Sequence, residues 1–252
     1  MSYDKRNDGR RHDELRPIEA KVGVIKKADG SAYFRIGKTV AYAAVYGPRD
    51  LYPKFKQDPK RGILRCNYNM MPFSGTGERV RPGQNRRSKE ISLVSEKALM
   101  PVLDLSNYPN AVVDLYIELP QTDAGSRCAG ICAASLALAD AGITMKDLVA
   151  AVSVGNVNGT IVVDLDYSEE AHEEGDVSDI PIAMIPSTEE ITLLQMDGVI
   201  DKDHLLHAID FVKPALKRIA EIQRAALKEK YRIPADMQVA DADDADMQQP
   251  LE

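Results

Sequence analysis

The chain of 252 residues has no tryptophan, four phenylalanines, four histidines and three cysteines. Three thiols, Cys66, Cys128 and Cys132, cannot build the disulfide framework of a small secreted scaffold. Cys128 and Cys132 stand four apart and read most simply as small core residues on one helix face. A reducing cytoplasm is the expected home. No apolar run reaches the length of a membrane span, and the polar opening Met1-Ser-Tyr-Asp-Lys-Arg6 carries no apolar signal segment. His204 and His207 have helical spacing, but no cysteine or carboxylate completes a metal set, so they read as surface residues. There is no GxSxG elbow, no Walker loop and no GxGxxG fingerprint.

What remains is ordinary in bulk and uneven in placement. Hydrophobic residues make up 44% and charged residues 28%, as in a globular protein able to bury a sizeable core in one domain or two packed halves. The formal charge is −7, but Ile233–Glu252 holds six acids and no base, leaving the first 232 residues close to neutral. Within that body, Lys54–Lys89 carries ten bases against Asp58 and Glu78. A local excess of this size predicts a surface for a polyanion.

Taken in order, residues 1–16 read as a charged, partly ordered arm with too few apolar residues to pack. Strands are expected at Pro17–Val24, Ala32–Ile36 and Thr39–Tyr46, an antiparallel meander turned at Asp29-Gly30 and Gly37-Lys38. Ile63–Met71 is another strand. The loop 72–86 mixes Gly75, Gly77, Pro82 and Gly83 with Arg79, Arg81 and Arg86, which predicts a functional or disordered segment. Ser88 is the expected N-cap of the next helix. The strand Val112–Leu119, ended by Pro120, leads through Ala124-Gly125-Ser126 into a small-residue helix over Cys128–Ala141. A hairpin, 152–157 with 160–166, turns at Asn158-Gly159; an acidic loop, 167–179, precedes strands Ile180–Ile185 and Ile191–Met196. A long helix runs from Asp201 or Lys202 to about Tyr231, with Pro214 expected to kink or divide it. The tail after Arg232 reads as disordered. This order predicts an α+β fold of two packed βαβ-like halves, each a small sheet backed by helices. The division is 17–150 and 151–232.

The candidate chemistry lies at turns. A Gly-Ser turn opening a helix leaves unpaired N–H groups where the dipole favours an anion. Ser126 adds a hydroxyl and Arg127 a planar fork, so Gly125–Arg127 is either a phosphate seat or an ordinary strand–turn–helix corner. Arg86-Arg87 at a helix start opposes the dipole; a bound phosphate would compensate, or the pair faces solvent. The acidic loop could supply a general acid or base or bind a divalent metal, or be a solvated loop. Asp179 stands out because the apolar run 180–185 follows it and would hold its carboxylate at the core edge.

These residues converge on a family. The segment from Arg6 to Pro17 (RNDGRRHDELRP), Pro72-Phe-Ser74, Arg87-Ser-Lys-Glu-Ile91, Gln121–Arg127 (QTDAGSR) and Asp179-Ile-Pro-Ile-Ala183 together resemble the RNase PH family, in order, from about residue 5 to Arg232. Within it they are most similar to catalytic RNase PH-like subunits of archaeal exosomes. The resemblance implies the RNase PH fold, related to ribosomal protein S5 domain 2, with mixed sheets. It implies 3′→5′ phosphorolysis of RNA, in which inorganic phosphate is the co-substrate and nucleoside diphosphates are released; the reverse reaction would add tails. It implies phosphate contacts at Arg87, Gly125, Ser126 and Arg127, RNA contacts at Arg61 and Arg86, and Asp179 as an essential carboxylate. The family has a second aspartate six residues earlier. That position here is Glu173, in a loop about three residues longer, so Glu170, Glu173 and Asp176 all compete, with Asp176 preferred because it keeps the aspartate. Mg2+ or Mn2+ would be an auxiliary ion; no metal-binding residue is assigned. The implied partners are RNA, a homologous inactive subunit in a ring of three heterodimers, and S1/KH-type cap proteins, with no membrane. Two other forms stay open: a homohexameric transfer-RNA 3′-end trimming enzyme and an inactive RNA-binding ring subunit.

Overall fold

The computed structural model describes Tyr3 and residues 5–76, 80–171 and 177–232. Asp176 and Glu173, the middle of the glycine-bearing loop and the acidic tail 233–252 lie outside the described residues. The elements run β1 (Ile18–Val22), β2 (Gly30–Ile36), β3 (Thr39–Asp50), β4 (Ile63–Met70), α1 (Arg86–Leu99), β5 (Ala111–Gln121) and α2 (Ser126–Asp140). They continue with β6 (Ala150–Val157), β7 (Thr160–Val163), α3 (Tyr167–Glu170), β8 (Val177–Ile185), β9 (Glu190–Leu194) and α4 (Lys202–Lys230).

Two sheets form, ordered β1-β2-β3-β5-β4 and β7-β6-β8-β9. The first is mixed. Its antiparallel meander pairs Phe34 with Ala41, and its one parallel pair, β4 with β5, sets Tyr68 opposite Ile117 across the α1 crossover. The second is antiparallel throughout, with Asp179 opposite Gly155. Its hairpin turn puts both Asn158 (φ 50°) and Gly159 (φ 81°) in the left-handed region, as a type I′ turn requires.

The two sheets do not have separate backing. Helices α1, α2 and α4 form a shared middle layer, each touching both sheets. The central one is α2, in which only Arg127 and Ala139 escape full burial. Its run of alanines, glycine and cysteines explains this position. A helix apolar all round must be buried, and small side chains let two sheets approach it closely. Cys128 and Cys132 are core residues, and burial pushes the Cys132 thiol up to about 12.

Four local expectations change. Pro120 lies inside β5, which continues to Gln121. Ser88 sits three residues inside α1, whose N-cap is Asn85. Pro214 does not divide α4, because Val212, Ala215, Leu216 and Ile219 pin both sides of it to the core. The N-terminal arm is packed: Arg6 is 1% exposed and Val163 N–H donates to the His12 carbonyl at 2.8 Å. Apolar counting misses this, since the arm is held by arginine forks that satisfy backbone carbonyls.

Candidate active site

Two helix starts meet on one cavity. At α1, Asn85 Oδ1 accepts from Ser88 N–H at 2.7 Å and Ser88 Oγ accepts from Asn85 N–H at 2.9 Å. This capping box fixes the first turn and leaves Arg86 and Arg87 as its first two residues. At α2, Ala124 (φ 58°) and Gly125 (φ 60°) are both left-handed, and no side chain caps the helix. Its first amides, at Ser126, Arg127 and Cys128, therefore have no partner within the helix. Neither first turn contains an acid. The macrodipole ordinarily draws carboxylates to such positions; here both carry arginine instead, and the positive potentials add.

The cavity between them measures about 550 Å3 and is lined by Arg86, Arg87, Gly125, Ser126 and Arg127. Tyr68 of β4 forms part of its floor. Burial pushes the Tyr68 phenol up to about 12, so it remains a neutral hydroxyl, set beside Ser126 without a well-formed hydrogen bond.

The same cavity has acidic lining. Glu170, at the end of α3, and Asp179, in β8, both line the cavity, with Tyr167 half-exposed beside them. Asp179 is held tightly. Its backbone exchanges two hydrogen bonds with Asp197, both 2.8 Å, and the Ser153 hydroxyl donates to its Oδ1. Burial raises the Asp179 carboxyl above its ordinary value and the Asp197 charge adds to this, while Ser153, Arg127 and Arg87 oppose it. Glu170 is pushed up to about 7, first by burial and then by the negative charge of Asp179. The Gly125 N–H and the cations of Arg87 and Arg16 work the other way. Two carboxyl groups facing one cation-lined space thus sit in environments that favour a proton on at least one of them near neutral pH.

Of the residues singled out in the sequence, Arg86, Arg87, Gly125, Ser126, Arg127 and Asp179 share this cavity. Glu170, one of three rivals for the second carboxylate, joins them. Arg61 does not: it lies in the loop before β4, exposed and paired with Asp58 at 3.2 Å. His204 is bonded to Asp201 at the start of α4 and does not line the cavity, and among the described residues no group of three or more His, Cys, Asp or Glu is placed to hold a metal ion. Sequence reasoning missed Tyr68, Ser153 and Gln195. Gln195 Oε1 accepts from Arg127 Nη1 at 2.6 Å and so aims the guanidinium. None of the three stands in a motif, and only the fold brings them to the site.

Residues 14–144 match the model of the 3′ exoribonuclease family, domain 1, and residues 147–213 match domain 2. The exosome complex component Rrp41 of Thermococcus kodakarensis is 54% identical over 227 residues, covering 90% of each chain. That of Methanopyrus kandleri is 51% identical over 226 residues, covering 90% of this chain and 93% of the relative. Among solved structures, rice (Oryza sativa) Rrp46 superposes with a TM-score of 0.78 at 25% identity, over 88% of this chain and all of that one. A chain of the Archaeoglobus fulgidus exosome, solved with RNA bound to the active site, has the same fold: TM-score 0.72 at 23% identity, over 91% and 93% of the two chains. The chain belongs to the 3′ exoribonuclease family of the RNase PH type.

Proposed function

We propose that this chain is the catalytic subunit of an archaeal exosome, a 3′→5′ exoribonuclease that degrades RNA with inorganic phosphate and releases nucleoside diphosphates. One observation carries this reading: Arg87, Arg127 and the first turn of α2 share a single cavity with Glu170 and Asp179. Two arginines at the start of α2 and in the first turn of α1 give an inorganic phosphate a place to bind beside the carboxylates. The relatives named as exosome components support the same reading.

In this mechanism Arg87, Arg127, Ser126 and the α2 amides hold the attacking phosphate. Arg86 takes the RNA backbone beside it, and Arg61 contacts RNA farther along the chain's path. A phosphate oxygen attacks the phosphorus of the last phosphodiester in line. The bond from that phosphorus to the 3′ oxygen of the penultimate nucleotide breaks, and the terminal nucleotide leaves as a diphosphate. Positioning and neutralisation of charge supply most of what such a transfer needs. Glu170 is suited to give the departing 3′ oxygen its proton, because it holds one near neutral pH. Asp179, fixed by Ser153 and the Asp197 backbone, is the carboxylate that orients the reacting groups.

An Mg2+ or Mn2+ ion fits this donor set only as a largely hydrated guest, since Asp179 is the one firmly anchored carboxylate and no denser ligand cluster lies among the described residues. Asp179 would hold it together with water and phosphate oxygens. Such an ion would supply further neutralisation of charge on the phosphates.

The assembly that goes with this function is a cytoplasmic ring of three heterodimers with a homologous inactive subunit, capped by S1/KH-type RNA-binding proteins. Product analysis on the assembled ring tests the reading. RNA with phosphate should yield nucleoside diphosphates, and RNA without phosphate should stay intact. Nucleoside monophosphates formed independently of phosphate would overturn it.

A further inference from the structure

None of the described residues of the N-terminal arm lines the cavity, yet two of its arginines, Arg6 and Arg16, are among the most deeply set charges of the described residues. Arg6 and Glu169 have fully buried side chains. Arg6 Nε donates to Glu169 Oε1 at 2.8 Å and Nη2 donates to Oε2 at 2.7 Å, a bidentate fork. The same guanidinium donates to the Val163 and Asp164 carbonyls, each at 2.8 Å. Glu169 also accepts from the Tyr3 hydroxyl at 3.0 Å and closes the capping box of α3 through Asp166 N–H at 3.1 Å. A helix of four residues cannot hold itself together in water. What fixes α3 is this arm.

The next residue is Glu170, which lines the cavity while Glu169 points back to Arg6. A second arm arginine ties the opposite wall. Arg16 grips both oxygens of Asp164, at 2.7 Å to Oδ1 and 3.0 Å to Oδ2, and donates to the Asp123 carbonyl in the turn that leads to Gly125. The arm thus spans from the carboxylate wall to the anion seat.

We infer that Arg6, through its bidentate pair with Glu169, is the positioning residue that sets Glu170 in the active-site cavity, and that the arm is a strap holding the two catalytic walls in register. This rests on the phosphorolytic reading for its effect on turnover, but not for its effect on α3. Removing the fork frees α3 to fray, because the long-range bonds that remain, Tyr3 to Glu169 at 3.0 Å and Asn7 to Ser168 at 3.2 Å, are single and uncharged on the donor side. A lysine at position 6 keeps one charge and loses the fork and its planar geometry.

The test uses the assembled ring carrying Arg6→Lys and, separately, Tyr3→Phe, which removes the hydroxyl and its bond to Glu169 while leaving the Arg6 fork in place. Amide exchange of segment 165–171 should accelerate about tenfold in Arg6→Lys, with β6 and α2 unchanged. Its kcat for phosphate-dependent diphosphate release should fall about tenfold or more while the KM for phosphate stays within about twofold, as expected when a proton donor is misplaced and the anion seat is intact. Tyr3→Phe should move both readouts the same way by less. Should Arg6→Lys fail to assemble, Tyr3→Phe alone decides. Unchanged exchange in 165–171, or faster exchange with unchanged kcat, overturns the inference. An unmutated ring without phosphate-dependent activity sinks the functional reading instead, and the exchange data still decide whether the strap exists.

Discussion

The two walls of the cavity are built by different physics. The cationic lining is made of secondary structure: two helix starts, each with arginine and no acid in its first turn. Their potentials exist as soon as α1 and α2 form and are docked; Arg86 and Arg87 are exposed, and Arg127 takes one tertiary partner, Gln195. The acidic wall is made of tertiary restraint. Asp179 needs the Ser153 hydroxyl and the Asp197 backbone, and Glu170 needs a four-residue helix clamped by a buried arginine. One wall is attractive by default; the other exists only once the whole fold has closed around it. Binding should therefore depend on the first, and turnover on both.

The largest test of the division reverses the sign of the binding wall. Arg127→Glu should lower phosphate-dependent diphosphate release by about 10³-fold or more, since it loses a cation aimed at the phosphate and adds a repelling charge. The ring should keep its melting temperature, because Arg127 is one of the few residues of α2 outside the core. Near-normal activity in this variant would remove Arg127 from the site.

The next test separates the carboxylates. Glu170→Gln cannot transfer a proton and should cost about 10²-fold in kcat. In the unmutated ring, kcat/KM should fall as pH rises through about 7, where Glu170 loses its proton; this limb should vanish in Glu170→Gln. Stability gives an independent check. The folded carboxyl binds its proton more tightly than a free glutamate with its ordinary value of 4.5, so between about 4.5 and 7 the folded state holds more protons than the unfolded one. Stability from this group is full below that window and is lost as pH rises through it. The melting temperature of the unmutated chain should drop relative to Glu170→Gln across those pH values. A pH limb that survives the substitution would assign the proton to another group.

A smaller effect is expected at Gln195. Gln195→Ala leaves Arg127 charged but without the partner that aims it. Loss of one hydrogen bond to a charged group corresponds to about 2 kcal/mol at most, and the flexible arginine can recover part of it. The KM for phosphate should rise by about three- to tenfold with kcat little changed.

What could be read in the sequence follows the same split. Arg86, Arg87 and the turn at Gly125–Arg127 were legible because helix starts announce themselves locally, through a glycine, a cap and a change in periodicity. Asp179 was legible because an apolar strand follows it at once. Which carboxylate stands with Asp179 was not, because Glu170, Glu173 and Asp176 are equal as letters in an acidic run. Glu170 lines the cavity and its neighbour Glu169 is held by Arg6, 163 residues away, while the other two lie outside the described residues. The packing of the arm escapes the sequence for the same reason: apart from Tyr3 and Leu15 the contacts that hold it are polar, so no hydrophobic pattern marks it. The fold class was legible from strand and helix order, but the shared helical layer was not, since periodicity shows that α2 is buried and cannot show that two sheets bury it.

The smallest test sharpens the comparison at a single cap. Asn85 closes the capping box of α1 and also lines the cavity, so it serves stability and binding together. Asn85→Ala should cost about 1 kcal/mol of stability through the lost cap. Asn85→Asp should keep the cap and gain a few tenths of a kcal/mol from the helix dipole, about 0.3–1 at an exposed end. Yet the same new charge faces the anion seat, so the KM for phosphate should rise severalfold in the more stable variant. Stability and phosphate affinity would then move in opposite directions under one substitution. That is the behaviour of a helix start left without an acid because an external anion takes its place. If Asn85→Asp raised both together, the positive potential of α1 would be a feature of the fold alone and Arg87 would lose its claim on the phosphate.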